Sequence, residues 1–197
     1  MIKLPMELPF TEEMILKAEK RAEEMGAINN SILEGEGNKA GFLSEEVFLK
    51  YFSDSTLVSQ SEEQRYKFDI MLKGLKYELK TMQRTVPASL SHECSVAETS
   101  THQAMKGGAD MYVFFSIEFE DQDKKENFVP KTVWLMGCIS TKKFYEKAKF
   151  LGKGTIDLEN NHKVSQNKYN IQAWRLKHLI KNEFQTNDGI DWDSVKE

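Results

Sequence analysis

The sequence contains no apolar run of the roughly 20 residues that a membrane-spanning helix needs, so it reads as a protein that works off the membrane, in the cytoplasm. Its first residues, Met1-Ile2-Lys3-Leu4-Pro5, lack the apolar stretch of a secretory signal. It has two cysteines, Cys94 and Cys138, too few for a disulfide framework. Without an export signal both read as reduced thiols. Positive charge is also short: 27 Lys and Arg against 31 Asp and Glu leave a net charge of −4. That balance excludes a nucleic-acid binder driven by overall charge, while leaving room for a local basic patch. His92, Cys94 and His102 show none of the paired spacings of a structural zinc site. Internal repeats and low-complexity tracts are absent. What remains is 197 residues of ordinary globular composition, 40% hydrophobic and 29% charged, enough for one domain with a substantial core.

The informative stretch runs from Phe68 to Met82. Phe68, Ile70 and Leu72 alternate with Lys67, Asp69 and Met71; after Lys73-Gly74, Leu75, Tyr77 and Leu79 alternate with Lys76, Glu78 and Lys80. A period of two marks strands with unlike faces. A turn centred on Lys73-Gly74 sets Leu72 against Leu75 and brings Asp69 opposite Glu78, with Lys80 two residues along on the same face. Facing Cβ atoms lie about 4.5–5.5 Å apart, and like charges so placed repel. A hard divalent cation resolves that conflict: Mg²⁺ takes one or two protein carboxylates and fills its other positions with water and phosphate oxygen. A lysine beside it can hold a phosphate oxygen or orient a water. These are the parts of metal-assisted phosphodiester hydrolysis. The competing reading is a solvated hairpin face built from common surface residues.

Ahead of the hairpin, residues 41–52 read as a helix. At 100° per residue, Phe42, Phe48, Leu49 and Phe52 surround Glu45, whereas Glu46 and Lys50 share the polar sector. Glu45 is therefore expected to face the core and Glu46 to face water. An inward carboxylate is costly unless it is paired or ligates a metal; the alternative is a side chain whose head escapes to solvent.

Asp69, a turn, and then Glu78-Leu79-Lys80 resemble the motif of the PD-(D/E)XK nuclease superfamily, with Phe68 where the motif's proline would stand. Gly41-Phe42-Leu43-Ser44-Glu45 is similar to the Gly-x-x-Gly-Glu helix of some phage members, with Ser44 replacing the second glycine. The resemblance spans about residues 41–151. It implies a restriction-endonuclease-like core and a metal-dependent deoxyribonuclease that hydrolyses DNA phosphodiester bonds as an endonuclease, in a phage or mobile element. It further implies Asp69, Glu78 and Lys80 as catalytic residues. Glu45, Asp69 and Glu78 become ligands of Mg²⁺, with Mn²⁺ able to substitute. Many members act as dimers, so a homodimer stays open. So does an inert member of the fold that binds nucleic acid or protein.

The rest of the chain supplies the frame. Residues 11–25 read as a helix capped by Thr11, with Met14, Ile15, Ala18, Ala22 and Met25 as its apolar stripe and Gly26 as its stop. Residues 53–65 read as a polar connection. Gln83 and Arg84, at the exit of the second hairpin strand, are candidates to reach a phosphate. Residues 96–105 read as a short helix ending at Gly107-Gly108; Gln103, shortly before the next strand, is a residue type found near the site in some members of the superfamily. Residues 109–119 and 131–139 are apolar on both faces and read as central strands, joined by a charged loop at 121–127. A helix is expected over 140–151, burying Phe144, Tyr145, Ala148 and Leu151. Its Lys142, Lys143, Lys147 and Lys149 form the densest basic patch, a candidate for backbone contact with DNA through Lys142 and Lys143, the alternative being a solubilising helix face. A last helix is expected over 169–184, with Ile171, Trp174, Leu176, Leu179 and Ile180 inward, before an acidic tail at 187–197. Together these elements predict a single α/β domain, a mixed central sheet flanked by helices.

Overall fold

A computed structural model describes residues 4–25, 36–52, 55–57, 68–100, 108–158 and 161–176. Two helices come first. α1 (Glu12–Met25) opens with Glu12 and Glu13 in its first turn, and the Thr11 hydroxyl accepts from the Met14 N–H at 3.4 Å. Ala18 and Ala22 are buried, with Met14 and Ile15 packed beside them, as the stripe predicts. α2 (Glu36–Tyr51) lies against α1 and buries Phe42, Leu43, Val47 and Phe48.

The central sheet has six strands. Across it they run β1 (Met6–Leu8), β7 (Thr132–Ser140), β6 (Met111–Glu118), β4 (Leu75–Arg84), β3 (Ile70–Leu72) and β2 (Ser55–Leu57). β4 and β6 are parallel and every other neighbouring pair is antiparallel. The sheet is therefore mixed. All eight residues of β6 are buried, which explains its lack of alternation in sequence. The hairpin register is the predicted one: Leu72 pairs with Leu75 and Ile70 with Tyr77. Lys73 and Gly74 both have positive φ, +48° and +82°. Positive φ at both central residues is the geometry whose twist matches two-residue hairpins, and glycine serves it without a Cβ clash.

The two faces of the sheet are covered differently. α1 and α2 cover one face, over Ile70, Leu72, Tyr77, Leu79, Val113, Phe115 and Leu135. The other face carries Tyr112, Phe114, Met136 and Ile139 and meets a small antiparallel sheet. That sheet runs β5 (Glu93–Ala97), β11 (Lys168–Gln172), β8 (Lys149–Leu151). Two short helices, α3 (Gln122–Glu126) and α4 (Thr141–Lys147), and a hairpin of β9 (Ile156–Asp157) and β10 (His162–Lys163) complete the described elements. The fold is α/β, with helices on one face and, on the other, a second sheet with α4 beside it.

Several expectations are corrected. The helix expected at 140–151 stops at Lys147, and 149–151 is β8; about two helical turns bury Phe144, after which extended Lys149–Leu151 joins the small sheet through backbone bonds. The region expected to begin a helix at 96 is the end of β5 followed by a single 3₁₀ turn at 98–100; alternation of Cys94 and Val96 into the core is the strand signal that was present there. The helix expected from 169 begins as β11 and a 3₁₀ turn, and Trp174, expected inward, is 55% exposed. Ile171 and Leu176 are buried as expected, while Leu179, Ile180 and the acidic tail lie outside the described residues, as do Gly26, His102 and Gln103. Residues 122–126, read as loop, form α3 with Asp121 accepting from the Lys124 N–H at 2.9 Å. Part of the connection at 53–65 is β2.

Candidate active site

The hairpin places the acids by backbone geometry. The Asp69 N–H donates to the Tyr77 carbonyl at 2.9 Å, just before the first register pair of β3, Ile70 with Tyr77. Glu78 faces away from α1 and α2, with Tyr112 as its neighbour on β6, and the Asp69 carboxylate lies close enough to feel its charge. Its Oδ2 accepts from the Leu79 N–H at 2.7 Å, which ties the carboxylate to the neighbouring strand. Lys80 shares that face and donates from Nζ to Glu78 Oε1 at 2.8 Å. The side chains of Glu78 and Lys80 keep 13% and 20% of their surface in water, so the pair is sheltered yet reachable.

The electrostatics are strained. Burial, then the Glu78 and Glu45 charges, push the Asp69 carboxyl well above the usual carboxylate range, against the opposing pull of Lys80 and the Leu79 N–H. Burial works to lower the Lys80 ammonium, but the Glu78 and Asp69 carboxylates outweigh it and the net shift is upward. Lys80 is held protonated, and Asp69 is short of positive charge.

Glu45, on α2, is buried as the helical wheel predicts. Its partner is one the sequence reading did not name. Arg21 of α1 donates from Nη2 to Glu45 Oε2 at 2.5 Å and from Nη1 to Glu46 Oε1 at 3.1 Å, with its guanidinium 4.3 Å from the centre of the Phe42 ring. Glu46 is accordingly half-buried under Arg21 rather than in open water, a correction to its assignment. Burial raises the Glu45 carboxyl despite Arg21, and the Glu78 charge adds to that rise. A signal for Arg21 existed: with Met14, Ala18 and Met25 it falls on the apolar stripe of α1, where a charged residue needs a buried partner.

Gln83 and Arg84 are not brought to these acids. Gln83 has the strand parity of Tyr77, Leu79 and Thr81, and the Thr81 hydroxyl bonds Ser44 of α2 at 2.9 Å, so Gln83 belongs to the helix-covered face. Arg84 has the parity of Glu78, but six residues at about 3.3 Å each put it roughly 20 Å away along the strand. There it donates from Nη2 to the Glu93 carbonyl at 2.6 Å, and its Nε is buried without a partner. Lys142 and Lys143 are at the right end of the sheet. The Thr141 N–H donates to the Asp110 carbonyl at 3.0 Å, and Ser140 caps α4 by accepting from the Lys143 N–H. Lys142 is exposed and Lys143 half-buried. Sequence reading also missed Tyr112 as a neighbour: it pairs with Glu78 across β4 and β6, and its hydroxyl lies 2.7 Å from that of Tyr145 on α4.

Among the described residues no three His, Cys, Asp or Glu side chains converge as a ready-made metal cage. The residues present fit a hard divalent ion in its sparser mode, one or two carboxylates with water and substrate oxygen completing the shell. Asp69 and Glu78 are the two carboxylates that could serve in that mode; burial first, then the Glu78 and Glu45 charges, raise the Asp69 carboxyl, more than Lys80 and the Leu79 N–H lower it. No protein-family model matches this chain, and no curated protein matches it.

Proposed function

We propose that the protein is a metal-dependent nuclease that hydrolyses DNA phosphodiester bonds as an endonuclease, with a restriction-endonuclease-like core. The observation that carries this reading is a buried Asp69, held by the Leu79 N–H within reach of the Glu78 charge, with Lys80 bonded to Glu78. Asp69 and Glu78 hold Mg²⁺ or Mn²⁺, with Glu45 behind them. The ion, when bound, supplies an activated water and an electrophile for the phosphate. Lys80 does what its protonated state allows: it meets negative charge building on a phosphate oxygen. Leu79 fixes the Asp69 carboxylate through its N–H, so the acid keeps its direction when its charge changes. Lys142 and Lys143 offer backbone contacts at the same end of the sheet; Gln83 and Arg84 are left out of the site.

A second reading is an inert module of the same fold that binds nucleic acid or protein. One observation favours it: Glu45 and Glu78 already have Arg21 and Lys80 as partners. The deciding experiment incubates purified protein with supercoiled plasmid and with single-stranded DNA in Mg²⁺, Mn²⁺ or EDTA, beside Lys80→Ala. Metal-dependent cutting that the variant loses is the expected result. No cutting, together with no heat of Mn²⁺ binding by calorimetry, would leave the inert module.

A further inference from the structure

A run of aromatic rings leads away from the acids toward solvent. It starts at Tyr112, the strand neighbour of Glu78, whose hydroxyl is bonded to Tyr145. The Tyr145 and Tyr169 rings are 5.1 Å apart at 90°, and Tyr169 and Phe150 are 5.1 Å apart at 58°. Phe150, at the end of the run on edge strand β8, is 47% exposed. In sequence this ring is flanked by exposed Lys149 and, three residues on, exposed Lys153; exposed Lys142 and Lys147 lie on α4, the helix that carries Tyr145. In a protein of net charge −4, the two elements that carry Phe150 and Tyr145, β8 and α4, thus bear exposed Lys149, Lys142 and Lys147 against one exposed acid, Glu146.

A half-exposed phenylalanine among lysines is costly as ordinary surface, because apolar area stays wet. It is well suited to an unpaired base, since any base offers a flat face to stack on and the phosphates on either side seek cations. A paired base has both faces covered by its neighbours and offers none. We infer that Phe150, backed by Tyr169, is a stacking platform for single-stranded DNA, which would enter over α4 and run toward Asp69 and Glu78. This rests on the nuclease reading for the direction of the strand but not for the binding itself.

The test is fluorescence anisotropy of a labelled oligo-dT and of a duplex of equal length, in EDTA so that nothing is cut. Wild type, Phe150→Ala and Phe150→Trp are compared, with circular dichroism as a control for folding. Stacking on one ring is worth about 1–3 kcal/mol, so Phe150→Ala should weaken oligo-dT binding by about fivefold or more and duplex binding little, with Phe150→Trp restoring it. Equal loss on both substrates, or no loss on either, overturns the platform. So does a change of oligomeric state on gel filtration with Phe150→Ala, which would mean that a second copy of the chain covers the ring. Failure of the nuclease reading looks different: wild type would bind oligo-dT through Phe150 yet cut nothing in Mn²⁺.

Discussion

Asp69→Asn should stabilise the metal-free protein. The substitution keeps an oxygen to accept the Leu79 N–H, now 2.7 Å from the carboxylate, and removes the charge. Two like charges about 5 Å apart, at an effective dielectric of about 20, repel by roughly 3 kcal/mol. Removing the charge also ends the burial penalty, the largest cause of the raised carboxyl, which offsets the lost attraction to Lys80; against the gain stands a weaker hydrogen bond, the charged form of which is worth about 1 kcal/mol more than the neutral. The net is about 1–2 kcal/mol of added stability. For a domain of this size each kcal/mol is about 2–4 °C, so Tm in EDTA should rise by about 2–8 °C. pH supplies a signed control. The folded-state carboxyl of Asp69 is raised, so its ionisation favours the unfolded chain. Wild-type stability in EDTA should fall as pH rises above the unfolded carboxylate range toward neutrality. Asp69→Asn should flatten that slope. Saturating Mn²⁺ reverses the order: at 100 times its Kd a ligand adds about 2.7 kcal/mol, raising wild-type Tm while leaving the variant nearly unmoved. Differential scanning calorimetry at pH 5.5 and 7.5 makes the measurement. A lower Tm for Asp69→Asn in EDTA at pH 7.5 would refute the reasoning, because Asp69 would then be a satisfied acid with no want of a cation.

Lys80→Ala should abolish metal-dependent cleavage. It should also lower stability by about 2 kcal/mol by leaving Glu78 without its 2.8 Å partner; a variant that loses activity while gaining stability would deny Lys80 its pairing role. Arg21→Ala exposes two acids at once and should cost about 2–3 kcal/mol by chemical denaturation, with Arg21→Lys recovering little because one ammonium cannot fork to both; full recovery by lysine would show that charge alone suffices. Gly74→Ala forces a Cβ onto φ +82° and should cost about 1–2 kcal/mol, read as a lower urea midpoint; an unchanged midpoint would mean that the turn does not set the register.

The hairpin was legible because alternation and a Lys-Gly turn are local signals, and the register of two strands joined by two residues follows from counting. The same holds for Glu45, whose burial a helical wheel can show. What covers the second face was not legible. Phe144, Tyr145, Ala148 and Leu151 have helical spacing, yet the chain leaves the helix at Ala148 because strand β11, some 20 residues further on, offers backbone bonds to 149–151. Tyr169 and Ile171 likewise fit either a helix or a strand over a short run, and pairing with β5, more than 70 residues earlier, decides for the strand. Arg21 failed to be read for a related reason: its stripe position was visible, but its partners are 24 and 25 residues away on another helix. Periodicity reports the element and stays silent on distant partners.

The small sheet β5–β11–β8 joins residues 93–97, 168–172 and 149–151, whereas the acid-bearing hairpin closes within 16 residues of chain, 69–84. Loop closure over longer separations costs more entropy and slows formation. The order of assembly follows: the hairpin brings its two carboxylates together early, in a nascent chain still open to water, where their repulsion is weak. Burial of Asp69 follows as the rest of the fold closes, and only at that stage does the conflict between the charges become expensive. Divalent ions should accordingly slow unfolding more than they speed folding, a partition that stopped-flow chevrons with and without Mn²⁺ would reveal.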